Sequence, residues 1–251
     1  MMIVETKSIG NIPVLEVVLA DRKEDSLPLV IFYHGWTGCK ERVLTQGYEI
    51  AKKGFRVILP DALYHGDREV GGPAEDHQIQ FWQIIANSVK EFPALVNFYK
   101  KEFGIKDNKI GVSGLSMGGI TTCALLNIYS EITAAVCLMG SPRPVEFARI
   151  LLGKIPGVQD VDPAYVEKEL EQLSIIDLSM NPQKIAGRPV HFWHATGDRM
   201  VPYKPTKEFY DRIKDHSYAE NVTFSTTQGG GHKVSQATTV EMADKFAEYF
   251  D

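Results

Sequence analysis

The run Ile110-Gly111-Val112-Ser113-Gly114-Leu115-Ser116-Met117-Gly118-Gly119 decides how this chain reads. Its first four residues have the makeup of a buried strand, and Gly119-Ile120-Thr121-Thr122-Cys123-Ala124-Leu125-Leu126 reads as a helix. Between them lies Gly-x-Ser-x-Gly, the pattern of a sharp strand-to-helix turn that lifts a serine hydroxyl clear of the backbone. At Gly114 and Gly118 a Cβ is predicted to strike the neighbouring strand or helix, which is why such a turn needs glycine there. The turn also sets Ser116 at a helix N-terminus, where unpaired N–H groups and the helix dipole favour developing negative charge. A serine in a plain glycine loop would lack both flanking elements.

Outward from this turn, the same kind of strand recurs. Leu29-Val30-Ile31-Phe32-Tyr33 is continuously apolar, as expected of a central strand covered on both faces. Shorter runs follow at residues 56–59, 135–138, 190–193 and 222–224, with helical segments at 42–53, 80–103 (a kink expected at Pro93), 117–129, 205–214 and 240–250. Two β-prone runs at 3–6 and 14–19, joined through Ser8-Ile9-Gly10-Asn11, predict an antiparallel hairpin at a sheet edge. Alternation of strand and helix predicts an α/β fold: a mostly parallel, twisted sheet of about eight strands with helices on both faces. Residues 143–185 break the rhythm, showing two helical patterns and no strand. Phe147, Ile150, Leu151 and Ile155 mark the first; Asp162-Pro163, Val166, Leu170 and Leu173 mark the second. This stretch reads as a small helical lid inserted into one domain spanning 1–251.

Composition bounds the function. With 251 residues, 44% hydrophobic and 24% charged, the chain can bury one substantial core and shows no linker-like tract. A net charge of −5 supplies no field for phosphate backbones, so no nucleic-acid partner is expected. Cys39, Cys123 and Cys137 lack CxxC spacing and read as buried, inert thiols. The N-terminus has no apolar leader pattern and no stretch has membrane-spanning length, so a cytoplasmic protein without a membrane partner is expected. Monomer and homodimer both stay open.

A serine hydroxyl is a weak nucleophile, so a histidine must take its proton and a carboxylate should hold that histidine's tautomer. Asp198, in His194-Ala195-Thr196-Gly197-Asp198-Arg199-Met200-Val201-Pro202, falls just past a strand's carboxyl end, where open α/β sheets place ligands. His232 follows Gly229-Gly230-Gly231, a loop expected to be mobile enough to swing an imidazole over Ser116. His34, His65, His191 and His194 read as structural, and His77 and His216 as surface residues. An oxyanion hole needs two N–H donors: Met117 supplies one by position, and Trp36, in His34-Gly35-Trp36-Thr37-Gly38 after the central strand, is the expected second. Phe147 and Leu151 are candidate substrate-binding residues.

The stretches His34-Gly35-Trp36-Thr37-Gly38, Pro60-Asp61-Ala62-Leu63-Tyr64-His65-Gly66-Asp67-Arg68, Gly114-Leu115-Ser116-Met117-Gly118-Gly119, Gly197-Asp198-Arg199-Met200-Val201-Pro202 and Gly231-His232 occur in one order along the chain. On them the chain resembles α/β-hydrolases of the prolyl oligopeptidase and dienelactone hydrolase type, close to small bacterial esterases of the YitV kind. The resemblance implies an α/β-hydrolase fold, no cofactor, and hydrolysis of small carboxylic esters by a serine hydrolase. Thioesterase, amidase or peptidase, lactonase and perhydrolase chemistry use the same groups, and a catalytically idle binding protein shares the fold. A metal enzyme is disfavoured: there is no His-Glu-x-x-His, and His191 and His194, three apart in a strand, face opposite sides.

Overall fold

The computed structural model describes residues 1–153 and 162–251. Eight strands among these residues form one sheet: β1 (Met2–Ile9), β2 (Ile12–Leu19), β3 (Leu27–Tyr33), β4 (Arg56–Pro60), β5 (Ile105–Leu115), β6 (Ala134–Leu138), β7 (Val190–Ala195) and β8 (Val222–Thr227). Their order is β1-β2-β4-β3-β5-β6-β7-β8. The expected hairpin β1-β2 sits at the edge, turned through Gly10 at φ +61°, and β2 pairs antiparallel with β4. Every other neighbouring pair is parallel.

Why β3 is apolar at every position follows from its two faces. Successive side chains alternate sides. Ile31 joins the cluster of Val112, Ile120, Leu125, Phe192 and Phe209, beneath α2 (Phe81–Glu102), α3 (Met117–Ile128) and α6 (Tyr203–Ile213). Val30 and Phe32 join Val57, Val136, Met242 and Phe246 on the opposite face, beneath α1 (Leu44–Ala51) and α7 (Gln236–Phe250). Close packing extends to the backbone: a Cβ on Gly111 of β5 would lie 2.7 Å from the Phe246 ring.

A helix forms at each expected segment. The segment expected at 42–53 starts as a 3-10 turn, Lys40–Val43, before α1. Helix α2 continues without a break through Pro93, which has no N–H to give the carbonyl four residues back. That carbonyl, on Val89, instead accepts the Tyr129 hydroxyl at 3.0 Å. Tyr129→Phe therefore orphans it and is expected to cost about 1 kcal/mol, read as a lower urea midpoint at unchanged slope.

Between β6 and β7 lie α4 (Pro144–Leu152) and α5 (Pro163–Ser174), as the broken rhythm predicts. Asp162 caps α5 by accepting the Ala164 N–H at 2.9 Å, and Leu170 and Leu173 are buried. The two helices are joined by a bidentate pair, Arg149 to Glu167, at 3.0 and 2.9 Å. Ile155 lies outside the described residues. Cys123 and Cys137 are buried and free, whereas Cys39, just before the 3-10 turn Lys40–Val43, is only half-buried.

Strand order reverses between β3 and β5: β4 lies to one side, β6 to the other. At such a switch point connections leave in opposite directions and open a crevice at the strands' carboxyl ends. The loop after β3 and the turn after β5 both open there.

Candidate active site

Ser116 sits between β5 and α3 at φ +56° and ψ −117°, a region L-residues rarely occupy. The strain is held by packing. A Cβ on Gly118 would lie 2.0 Å from the Tyr33 carbonyl oxygen, and one on Gly114 would lie 2.4 Å from the Gly118 oxygen. The Ser116 N–H donates to the Leu138 carbonyl of β6 at 3.0 Å, and its carbonyl accepts from Ile120 at 3.0 Å. Its hydroxyl caps no backbone group and so faces outward.

That hydroxyl lies 2.8 Å from His232 Nε2, and His232 Nδ1 lies 2.7 Å from Asp198 Oδ2. Since the carboxylate only accepts, His232 Nδ1 carries the hydrogen and Nε2 presents its lone pair to the serine. The three side chains singled out from sequence thus form one hydrogen-bonded row. The glycine run before His232, expected to swing, is instead tied down. Gly197 N–H donates to the Gly230 carbonyl at 2.9 Å, and Gly229 N–H donates to Thr196 Oγ1 at 2.8 Å. A Cβ on Gly197 would lie 2.7 Å from that same Gly230 oxygen, so close packing of the loops bearing Asp198 and His232 requires glycine at 197, whereas Gly229 has open space around it and is needed for its φ of +71°.

Asp198 is saturated with donors. Oδ1 accepts the N–H groups of Met200 and Val201 at 2.9 and 3.1 Å, and Oδ2 also lies 3.2 Å from His194 Nε2. Burial alone would raise this carboxyl's pKa. The hydrogen bonds from His194 and His232, with that from the Met200 N–H, outweigh burial and hold it far below the ordinary aspartate range. His194 was not expected at the site: its Nε2 also donates to the Val201 carbonyl at 2.9 Å, and the ring is fully buried. The signal available was its position four residues before Asp198, on the strand that ends there.

Met117 opens α3, so its N–H has no intrahelical acceptor. Across from it runs the loop after β3. A Cβ on Gly35 would approach Leu115 Cδ1 to 2.8 Å and Ser116 Cβ to 3.4 Å, so this backbone, with Trp36 next in line, lies directly against the serine. The loop is anchored from below by Lys40, whose ammonium is buried with Asp61 at 2.7 Å and also reaches Asp67 at 2.7 Å. Asp61 further accepts the N–H groups of Lys40 at 2.8 Å and Asp67 at 3.0 Å.

From Trp36 a file of rings leads toward the insertion: Phe81 at 5.5 Å, Trp82 4.9 Å beyond it, and Phe147 of α4 a further 6.0 Å on. Phe147 is buried against Trp82; Leu151, one turn along, is half-buried against the same core. Among the described residues no group of three or more His, Cys, Asp or Glu side chains is placed to hold a metal ion. No helix among them is long and apolar enough to cross a membrane.

Residues 15–235 match the pattern of the Dienelactone hydrolase family. The chain belongs to this family. It is 39% identical to YitV of Bacillus subtilis (strain 168), to which an esterase activity is ascribed, over 99% of this chain and all of that one. It is 27% identical to Esterase YjfP of Escherichia coli (strain K12), over 100% of this chain and 98% of that one. Among solved structures, TT1662 from Thermus thermophilus superposes with a TM-score of 0.80 at 19% identity, covering 100% of this chain and 99% of that one. The protein is thus an esterase-like hydrolase of the dienelactone hydrolase family, with that family's α/β-hydrolase sheet. In it Ser116, His232 and Asp198 follow β5, β8 and β7, all at the carboxyl edge.

Proposed function

We infer that the protein is a serine hydrolase acting on small carboxylic esters, with Ser116 as nucleophile, His232 as general base and Asp198 as the acid that orients it. The observation carrying this reading is His232, within 2.8 Å of the serine hydroxyl on one side and 2.7 Å of a buried carboxylate on the other. As Ser116 Oγ attacks the ester carbonyl, its proton passes to His232 Nε2, and the oxyanion is taken up by the N–H groups of Met117 and Trp36. His232 then protonates the departing alcohol. Water activated by the same imidazole hydrolyses the acyl-enzyme, while Asp198 stays ionised and steadies the imidazolium. No cofactor takes part.

An ester is favoured over an amide because its alkoxide leaves with less help, and the names of YitV and YjfP point the same way. The test is a matched series in which one acyl group is presented as ester, thioester and amide to the same enzyme. The ester is expected to give the highest kcat/KM. Faster turnover of the amide or thioester would replace the assignment by an amidase or a thioesterase.

Helices α4 and α5 are assigned as a lid over the acyl group. Leu151 is half-buried one turn beyond Phe147, at the far end of the ring file, so shortening it should lengthen the space for an acyl chain. Leu151→Ala is expected to raise the kcat/KM ratio of octanoyl to acetyl p-nitrophenyl esters on the order of tenfold. An unchanged ratio would place Leu151 in plain packing.

A further inference from the structure

The loop after β3 contains a strained turn. Gly38 N–H donates to the Gly35 carbonyl at 3.0 Å, and Thr37 between them has φ +59°, which a β-branched residue adopts only under constraint. Two imidazoles grip this turn. Thr37 N–H donates to His65 Nε2 at 3.3 Å, and His65 Nδ1 lies 2.8 Å from the Leu63 carbonyl. A carbonyl can only accept, so His65 carries its hydrogen on Nδ1 and leaves Nε2 as the acceptor. His34 repeats the logic: its Nδ1 donates to the Gly35 carbonyl at 2.8 Å, and its Nε2 accepts the Ala62 N–H at 3.0 Å. Both rings are buried, 5.0 Å apart, and the Trp36 ring stands edge-on to His65 at 5.2 Å.

What these bonds fix is a direction. In a planar trans peptide the C=O and N–H point opposite ways. The Gly35 carbonyl, held by His34 and Gly38, therefore dictates where the Trp36 N–H points. The next peptide is held through the Thr37 N–H, so Trp36 is constrained from both sides by groups outside its own turn.

We propose that His65, with His34 beside it, is a positioning residue: a neutral imidazole, hydrogen on Nδ1, whose Nε2 locks the strained Thr37 peptide and so aims the Trp36 N–H at the oxyanion. The inference rests on the ester-hydrolase reading above. His65 touches no reacting atom, so its contribution is felt at the transition state, where the oxyanion forms, and not in substrate binding.

Two side chains separate the bonds His65 makes. In His65→Gln the side-chain oxygen reaches about as far as Nε2 and can still accept the Thr37 N–H. In His65→Asn the shorter amide reproduces only the donation to Leu63. His65→Asn is expected to lower kcat on p-nitrophenyl acetate on the order of tenfold to a hundredfold, with KM within about twofold, less than the loss of a whole oxyanion donor. His65→Gln is expected to recover most of that loss. Equal kcat in wild type and His65→Asn, or a loss seen only in KM, would overturn the clamp.

Wild-type enzyme gives a second readout that no folding defect can blur. Long-range proton–nitrogen NMR correlations should find the hydrogen on Nδ1 of both His65 and His34, against the usual preference of free imidazole for Nε2–H. Finding it on Nε2 of His65 would overturn the proposal. Ser116→Ala, run alongside, separates the two levels: if it stays active, the serine reading fails. If it is inactive while His65→Asn is normal, only the clamp fails.

Discussion

Ser116→Ala is expected to turn over p-nitrophenyl acetate at least about ten-thousandfold more slowly than wild type, with its unfolding transition close to that of wild type. On the proposed mechanism the loss is large because the row of hydroxyl, imidazole and carboxylate works as one unit: without Oγ, His232 has no proton to accept and no acyl-enzyme forms. Some rate above that of water alone should survive, since the N–H groups of Met117 and Trp36 and the bound geometry are untouched. The fold should survive as well. The elbow is set by the contact of Gly118 with the Tyr33 carbonyl and by the Ser116 N–H bond to Leu138, and alanine keeps both. A fluorophosphonate probe adds the class test: covalent labelling of wild type and none of Ser116→Ala is expected. Wild-type protein that resists the probe and turns over no ester would be a binding protein built on a hydrolase fold. Wild-type rates in the variant would require a different nucleophile.

Ser116, Asp198 and His232 could be singled out in the sequence because each stands just past a run with strand character, and strand ends at one edge of a parallel sheet must lie near one another. The element order was legible for a related reason, since β3 and β6 are apolar throughout and β5 and β7 are mostly apolar where both faces are covered. Contacts made to backbone groups were not legible. Nothing near His65 announces that its ring accepts an N–H from Thr37, 28 positions earlier, and nothing near Tyr129 announces the Val89 carbonyl freed by Pro93. Any hydroxyl or ring can make such bonds, so they leave no residue-type signature. Lys40 with Asp61 is a similar case: opposite charges 21 positions apart read as solvated until the loops fold over them. The glycines before His232 show the reverse error. Glycine is chosen for conformational freedom or for close approach, and only the folded loops tell which applies: Gly197 is pressed against the Gly230 carbonyl, while Gly229 stands in open space at φ +71°.

Between pH 7 and pH 5 the protein is expected to lose about 4 kcal/mol of stability through two buried histidines alone. Burial pushes His34 down to about 4; the Gly35 carbonyl raises it only in part, and His65 beside it lowers it further. His191 is likewise pushed down to about 4 by burial, against the pull of Glu241. An unfolded histidine titrates near 6.5, so each folded pKa is depressed and the native state resists the proton that the unfolded chain accepts. The stabilisation from each neutral ring is therefore complete above about pH 6.5 and is lost as pH falls toward 4, with about 2 kcal/mol gone per ring at pH 5. His65, also lowered by burial, acts in the same direction. Domains commonly hold about 5–15 kcal/mol in reserve, so a loss of this size should lower the urea midpoint by roughly 1 M or more. His191→Asn assigns the effect, since asparagine can keep a hydrogen bond to Thr223 Oγ1, now 2.7 Å from His191 Nδ1, without titrating. That variant should lose about 2 kcal/mol less than wild type over the same interval, whatever its stability at pH 7. An identical loss in both would mean that His191 does not stay neutral in the folded protein. The remaining loss belongs to His34 and His65, whose protonation would leave the Ala62 and Thr37 N–H groups facing a cation. The turn beside Ser116 cannot take up those protons and keep its shape, so in acid the loss of ester turnover should follow unfolding of this loop.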